Sequence, residues 1–360
     1  MPHEIGDLME HARLRVPYGG GTFRAADLTG AALAGLVTSE SDFRQARFTS
    51  AELAEARFLT SDLAGASFDD ARLAKATFIR CNLRRADFAG LKLKSVQFVE
   101  CDLEGANFEG CVAEKLSILS SKLAGASFRS AKITKSVLVQ CELGHIDLRD
   151  TELKNFMIAE ADLSDAELDG MRADGIMLMK VNFGRRDLRS LTLARCNLAY
   201  SSLAGANLAG VDLTGSLLLG ADLSEADLQG ATAPMAVFAN ANLRQANLRE
   251  ANLSKANFTG AGLIDADFSG AKLDMAVFQS ADARAATFDH ANLQYALLEH
   301  ARLDGASFTA GRLDRASVHC ASMDGAFTLG ASGKALPTDQ QRAIAELYDP
   351  RRVTLLAEAD

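Results

Sequence analysis

Residues 221–258 read ADLSEADLQGATAPMAVFANANLRQANLREANLSKANF, and every fifth position, Leu223, Leu228, Ala233, Phe238, Leu243, Leu248, Leu253 and Phe258, holds an apolar residue. Two positions before each of these stands Ala, from Ala221 to Ala256. Followed outward in both directions, the same register runs without a slip from Phe23 to Met323, with Leu or Phe at most steps. Self-similarity over such a length makes the chain one repetitive array and overrides the division into two or three domains that 360 residues would otherwise suggest.

The spacing carries geometry. In extended backbone, residues two apart face the same side, so the register residue and the small residue before it point inward together. The next inward pair begins three residues later, an odd step that a flat strand cannot make without turning its apolar face to water. The chain must turn a corner in every pentad, and short sides joined by corners make a solenoid. Small and large inward residues alternate, which fills a narrow tube to native density. Asp or Asn stands between them in many repeats (Asp27, Asp62, Asn82, Asn107, Asn207, Asn252), suited to water and to hydrogen bonds with turn backbone.

Phe recurs at 48, 68, 88, 108 and 128 and at 58, 78 and 98, which fits a period of ten or twenty. Charge decides between them. Sorted by position modulo twenty, the faces centred on Leu63 and Phe68 are net acidic, the Leu73 face is net basic and the Phe78 face is almost uncharged. Faces ten residues apart differ, so four sides and twenty residues per coil are predicted. At roughly 4.8 Å per stacked strand, about fifteen coils make a rod on the order of 70 Å long.

Ala221-Asp222-Leu223-Ser224-Glu225, Ala226-Asp227-Leu228, Ala241-Asn242-Leu243 and Ala251-Asn252-Leu253-Ser254-Lys255 resemble the A-(D/N)-L-x-x signature of the pentapeptide-repeat family. The resemblance implies an all-β solenoid in the form of a right-handed quadrilateral β-helix. It implies less about function, because that family includes gyrase-protecting DNA mimics, secreted effectors and many members of unassigned role.

Three segments are expected: residues 1–22 as an N-terminal cap carrying Ile5, Leu8 and Met9, residues 23–330 as the array, and residues 331–360 as a C-terminal helical segment. Thr338 as N-cap with Gln341 three residues on predicts a helix through Ala343, Ile344, Leu347 and Tyr348. Pro350 opens a second through Val353, Leu355 and Leu356. These helices either cover the last coil or form a two-fold homodimer, as the resemblance to gyrase-protecting members implies.

The chain begins without a basic segment leading into an apolar one, and no stretch approaches 18 apolar residues, so a cytoplasmic protein that does not enter the membrane is expected. Five of the six cysteines (Cys81, Cys101, Cys111, Cys141, Cys196) occupy the small inward slot and read as buried thiols, not as a disulfide framework. Catalysis is not indicated: His145, His290 and His300 fall on three different faces, and outward Ser and Asp recur because the repeat requires them. No cofactor is expected, and no metal either. His300 and Cys320 should stack with His319 alongside, short of the three or four converging ligands of a zinc site.

Two surface features remain. Glu142, Asp147, Asp150, Asp162, Asp165, Glu167 and Asp169, opposed by Arg149, form an acidic patch on the two acidic faces. Its local density matches the one charge per roughly 1.7 Å of B-DNA, but that density is not kept along the rod. On the Phe78 face, outward positions hold Val137, Val139, Met157, Met177, Met179, Leu217, Leu219 and Val237, with Leu119, Val277 and Leu297 further along. Contiguous apolar surface of that extent marks a partner. The leading expectation is a non-enzymatic rod that binds a protein through this face and does not bind nucleic acid directly. A DNA-mimicking modulator of gyrase or another topoisomerase is the alternative, and an adaptor or effector of a bacterial secretion system a third. One departure from the register, Arg186 in an inward slot, predicts a local bulge that carries the guanidinium out to solvent. Around it Ile146, Phe156, Met171, Ile176, Val181 and Leu191 break the small-residue rule, predicting an irregular middle.

Overall fold

Parallel pairing between residues twenty apart organises the structure, in four columns that begin with Tyr18–Thr38, Thr22–Asp42, Asp27–Arg47 and Ala32–Glu52. Those columns run on to Arg302–Ser322, Ser307–Phe327, Arg312–Ser332 and Ser317–Leu336, the last of these nineteen residues apart. The chain is thus an all-β solenoid with few helices, and the structure, a computed structural model, describes residues 2–346. Leu347, Tyr348, Leu355 and Leu356, and the second helix expected at Pro350, lie outside the described residues.

One pentad shows how the sequence builds a side and a corner. Leu223 points inward and donates its amide to Asn242 O of the next coil at 2.7 Å, while Asn242 N donates back to Ala221 O at 2.9 Å. The Asp222 carboxylate accepts the Ser224 amide at 3.1 Å, Ala226 N closes the turn on Leu223 O at 3.1 Å, and Glu225 takes a left-handed φ of 57°. That conformation costs a non-glycine residue roughly 1–2 kcal/mol. The Glu225 N to Arg244 O bond at 2.9 Å, repeated at nearly every corner, offsets it.

Where the residue before the register position is not Asp or Asn, some sides lengthen into true strands. Among the described residues these form a nine-stranded parallel sheet on the Phe78 face, from Tyr18–Gly19 to Met177–Asn182, and a five-stranded one on the Leu73 face, from Lys92–Lys94 to Arg172–Asp174. None of the three-residue strands opens with Asp or Asn, whose side chains would draw the next amides into a turn.

The interior settles the period. Phe48, Phe68, Phe88, Phe108 and Phe128 stack face to face at 4.5–5.0 Å, and Phe58, Phe78 and Phe98 at 5.0 Å, so the stacking period is twenty. Neighbouring columns meet edge to face, as Phe68 meets Phe78 at 6.2 Å and 83°. A second aromatic zone, Phe238, Phe258 and Phe278 beside Phe268, Phe288 and Phe308, repeats the arrangement. At the N-terminal end a helix, α1 (Pro2–Leu14), buries Leu8 and Ala12 in the same core, and Tyr18 bridges it to Phe23.

The middle departs from this regularity. The parallel pairing lapses between residues 142 and 162, 167 and 187, and 192 and 212, while the strands Met157–Asp162 and Met177–Asn182 run straight through a corner. Ile146, Phe156, Met171, Ile176, Val181 and Leu191 are all buried there. Gly184, with φ of 61°, makes its corner one residue early, and Arg186 does not escape to solvent as the sequence suggested. It stays half-buried and donates Nη1 to Leu163 O and Ser164 O at 3.1 and 3.2 Å. In regular coils the corner carbonyl accepts the amide nineteen residues earlier, as Gly144 O accepts Gly125 N; at Ser164 the guanidinium takes that role. Arg186→Ala should therefore cost about 1–3 kcal/mol in urea unfolding, the worth of hydrogen bonds from a charged donor to carbonyls at a half-buried corner. A loss below roughly 0.5 kcal/mol, the level of an indifferent surface change, would show that the guanidinium is not needed there.

Candidate interaction faces and the C-terminal cluster

The apolar residues predicted on the Phe78 face lie together, on the outer side of the nine-stranded sheet as far as Met179 and, beyond it, on the isolated bridges that continue the same face. Val137 pairs in register with Met157 and Met157 with Met177; after Asn197 the column continues as Leu217 and Val237. In the parallel column Val139, Met179 and Leu219 alternate with the smaller Ala159 and Ala199. Met177 and Leu217 are exposed and the other six predicted residues are half-buried.

Sequence reasoning missed what borders this face. Met235, Met275 and Tyr295 sit at the corner leading into it, two residues before Val237, Val277 and Leu297, and are 58%, 49% and 47% exposed. The ring of Tyr200, at the far corner, lies against Gly220, whose Cβ would come within 2.8 Å of it. The signal was present in the numbering: these residues share positions modulo twenty, where Lys, Glu, Ser or Gly is usual.

The acidic patch is weaker than its composition. Arg149 clamps Asp147 with Nε to Oδ1 at 3.0 Å and Nη2 to Oδ2 at 2.7 Å, which holds that carboxyl below the usual carboxylate range. Asp162 is held low by the Ser164 and Asn182 hydrogen bonds, with Ser164 N at 2.8 Å and Asn182 Nδ2 at 3.0 Å. Asp150 lies 3.9 Å from Arg129. Glu142, Asp165, Glu167 and Asp169 are exposed and make no ion pair among the described residues.

At the C-terminal end a short helix, α2 (Gln340–Glu346), leaves Ile344 70% exposed, so this residue contributes nothing to covering the last coil. Its N-cap is Asp339, whose Oδ1 accepts Arg342 N at 3.1 Å; Thr338, the expected cap, instead accepts Cys320 N at 3.0 Å. Polar contacts hold α2: Arg342 donates to both Glu299 oxygens at 3.0 and 2.6 Å and to Glu346 at 2.7 Å.

Residues 38–108 match a family described as a pentapeptide repeat region. Residues 193–230, 221–260, 236–274, 261–298 and 291–327 match pentapeptide repeats (8 copies). Together these segments span more than half of the chain, which belongs to the pentapeptide-repeat family. No curated protein matches the sequence. Among solved structures, the chain is similar to HetL, a pentapeptide repeat protein involved in heterocyst differentiation regulation from the cyanobacterium Nostoc sp. strain PCC 7120. That match has 27% identity over 70% of this chain and 91% of that one, with a TM-score of 0.34. It is also similar to QnrB1, a plasmid-mediated fluoroquinolone resistance protein, at 20% identity over 51% and 93%, with a TM-score of 0.40. A third, a pentapeptide repeat protein of the Arabidopsis thaliana thylakoid lumen, is 28% identical over 35% and 74%, with a TM-score of 0.17. Among the described residues no helix is long and apolar enough to cross a membrane.

Proposed function

We propose that the protein is a non-enzymatic cytoplasmic rod that binds a protein partner through the apolar side of its nine-stranded sheet. In this reading the array is a right-handed, four-sided β-helix of about fifteen coils at roughly 4.8 Å each. In the same reading the segment before Phe23 closes one end and the segment after residue 330, as far as it is described, closes the other. The supporting observation is the continuity of the stripe from Val137 to Val237, extended at the corner by Met235, Met275 and Tyr295 on a face with few charges. Such a patch is costly to leave in water and retains value only when covered.

A DNA-mimicking modulator of gyrase or another topoisomerase is the second reading, favoured by the four exposed carboxylates Glu142, Asp165, Glu167 and Asp169, which make no ion pair among the described residues. The Arg149 and Arg129 contacts with the same patch count against it. Secretion-system adaptor work and a homodimer rest on resemblance alone.

One affinity purification from the native cell separates the readings, with gyrase subunits scored by name and the oligomeric state followed by sedimentation. The stripe variant Met177→Glu with Leu219→Glu should lose the recovered partner, whereas Asp165→Lys with Asp169→Lys should retain it. The reverse pattern, with gyrase among the losses, favours the mimic. Retention by both variants removes both readings.

A further inference from the structure

His300, His319, Cys320 and Glu346 bring their ligand atoms within 4.8 Å of one another, at the C-terminal end of the corner column that also carries Tyr200. The repeat supplies three of them: His300 and Cys320 stand twenty positions apart on consecutive coils, and His319 precedes Cys320. The fourth arrives from α2. His300 Nε2 lies 3.0 Å and His319 Nε2 3.2 Å from Glu346 Oε2, and Cys320 Sγ lies 3.5 Å from His319 Nε2. With zinc bonds of about 2.0–2.3 Å, the edges of a coordination tetrahedron are roughly 3.3–3.8 Å, so these three separations already suit a site, and the remaining pairs, up to 4.8 Å apart, close by small side-chain rotations on loading.

We propose that these four residues form a zinc-binding site that clasps α2 to the last coils of the solenoid. Two nitrogens, a thiolate and a carboxylate suit borderline-soft Zn2+ better than Mg2+ or Ca2+, which take oxygen. The surroundings are those of a supported site. His319 is 2% exposed, its ring meets that of His300 edge to face at 5.6 Å, and Arg342 fixes the other Glu346 oxygen at 2.7 Å. His300 and Glu346, about one-third exposed, leave a path for the ion.

Loading has a definite proton balance. Without metal, His319 Nδ1 accepts the Asp339 amide at 3.1 Å, so the ring proton sits on Nε2 and points at Glu346. Coordination through Nε2 requires that proton to move to Nδ1, so the Asp339 N–H that donates to Nδ1 must give up that bond as the metal loads. Cys320 binds as thiolate and releases one proton to solvent, so affinity rises with pH.

The experiment uses the full chain, stripped with chelator and titrated with Co2+ as an optical probe, then with Zn2+. One equivalent of cobalt should give a thiolate-to-cobalt charge-transfer band and the visible bands of a tetrahedral site, both erased by one equivalent of zinc. Zinc should also slow Cys320 alkylation and amide exchange over residues 340–346. Cys320→Ser should remove the charge-transfer band, and His300→Ala and Glu346→Gln should each weaken binding by roughly 10–100-fold or more. Circular dichroism confirms that each variant keeps the solenoid. A stripped chain that takes up no stoichiometric cobalt overturns the proposal. So does a cobalt spectrum left unchanged by Cys320→Ser, or an affinity unchanged by both His300→Ala and Glu346→Gln.

Discussion

Phe78→Ala is expected to lower the unfolding free energy by about 3–5 kcal/mol, the usual cost of removing a large aromatic from a closed core. Phe78 is fully buried, stacked on Phe58 and Phe98 at 5.0 Å each, and edge-on to Phe68 and Phe88 at 6.2 and 6.3 Å. Aromatic pairs add roughly 0.5–1.5 kcal/mol beyond area burial. The neighbours cannot close the gap, because each is fixed by its own coil's hydrogen bonds to the coils on either side. In a quasi-one-dimensional array the loss stays local. Hydrogen exchange should therefore speed up first in the coils carrying Phe58 and Phe98, while the zone around Phe258 is unaffected. Phe78→Leu, which keeps most of the volume, should cost less than half as much. An unfolding free energy from urea titration of Phe78→Ala within about 1 kcal/mol of the parent's would contradict close packing of this interior.

The reverse change tests the small slot. Ala256→Leu inserts three carbons where Ala236 and Ala276 lie directly above and below and all three are fully buried, and should cost about 1–3 kcal/mol or more. The protein itself contains the remedy. At Met171 the small slot is large, and the register position two residues on is Ala173, both buried, so the pair exchanges volume within one pentad. Ala256→Leu combined with Phe258→Ala imitates that exchange. The double variant should be more stable than the sum of the single losses predicts, with a coupling of roughly 0.5–3 kcal/mol. Additive losses in denaturant unfolding would mean that each slot is packed independently and that the Met171 pair has another cause.

These two expectations draw on parts of the chain where local pattern and tertiary structure agree. Elsewhere they part. The early corner at Gly184 and the carbonyl contacts of Arg186 depend on which amide the coil below fails to supply, and no local spacing encodes that. The sequence points to Thr338 as the cap of α2, whereas Asp339 caps it and the Thr338 hydroxyl accepts Cys320 N instead. The acidic patch was legible as composition, but its effective charge was not, since Arg149 and Arg129 are placed by the coils that carry them.

What is periodic in this chain could be read directly, because a five-residue register with an odd step allows no other regular backbone than a cornered solenoid, and charge sorted by twenty separates its faces. The apolar stripe belongs to that class, since residues twenty apart must stack. Glu346 does not. It comes from a segment outside the repeat, and its arrival beside His300, His319 and Cys320 depends on how α2 folds back and is held by Arg342 and Glu299. Contacts within the array follow from the period, whereas a contact between the array and its end follows from packing that no period describes.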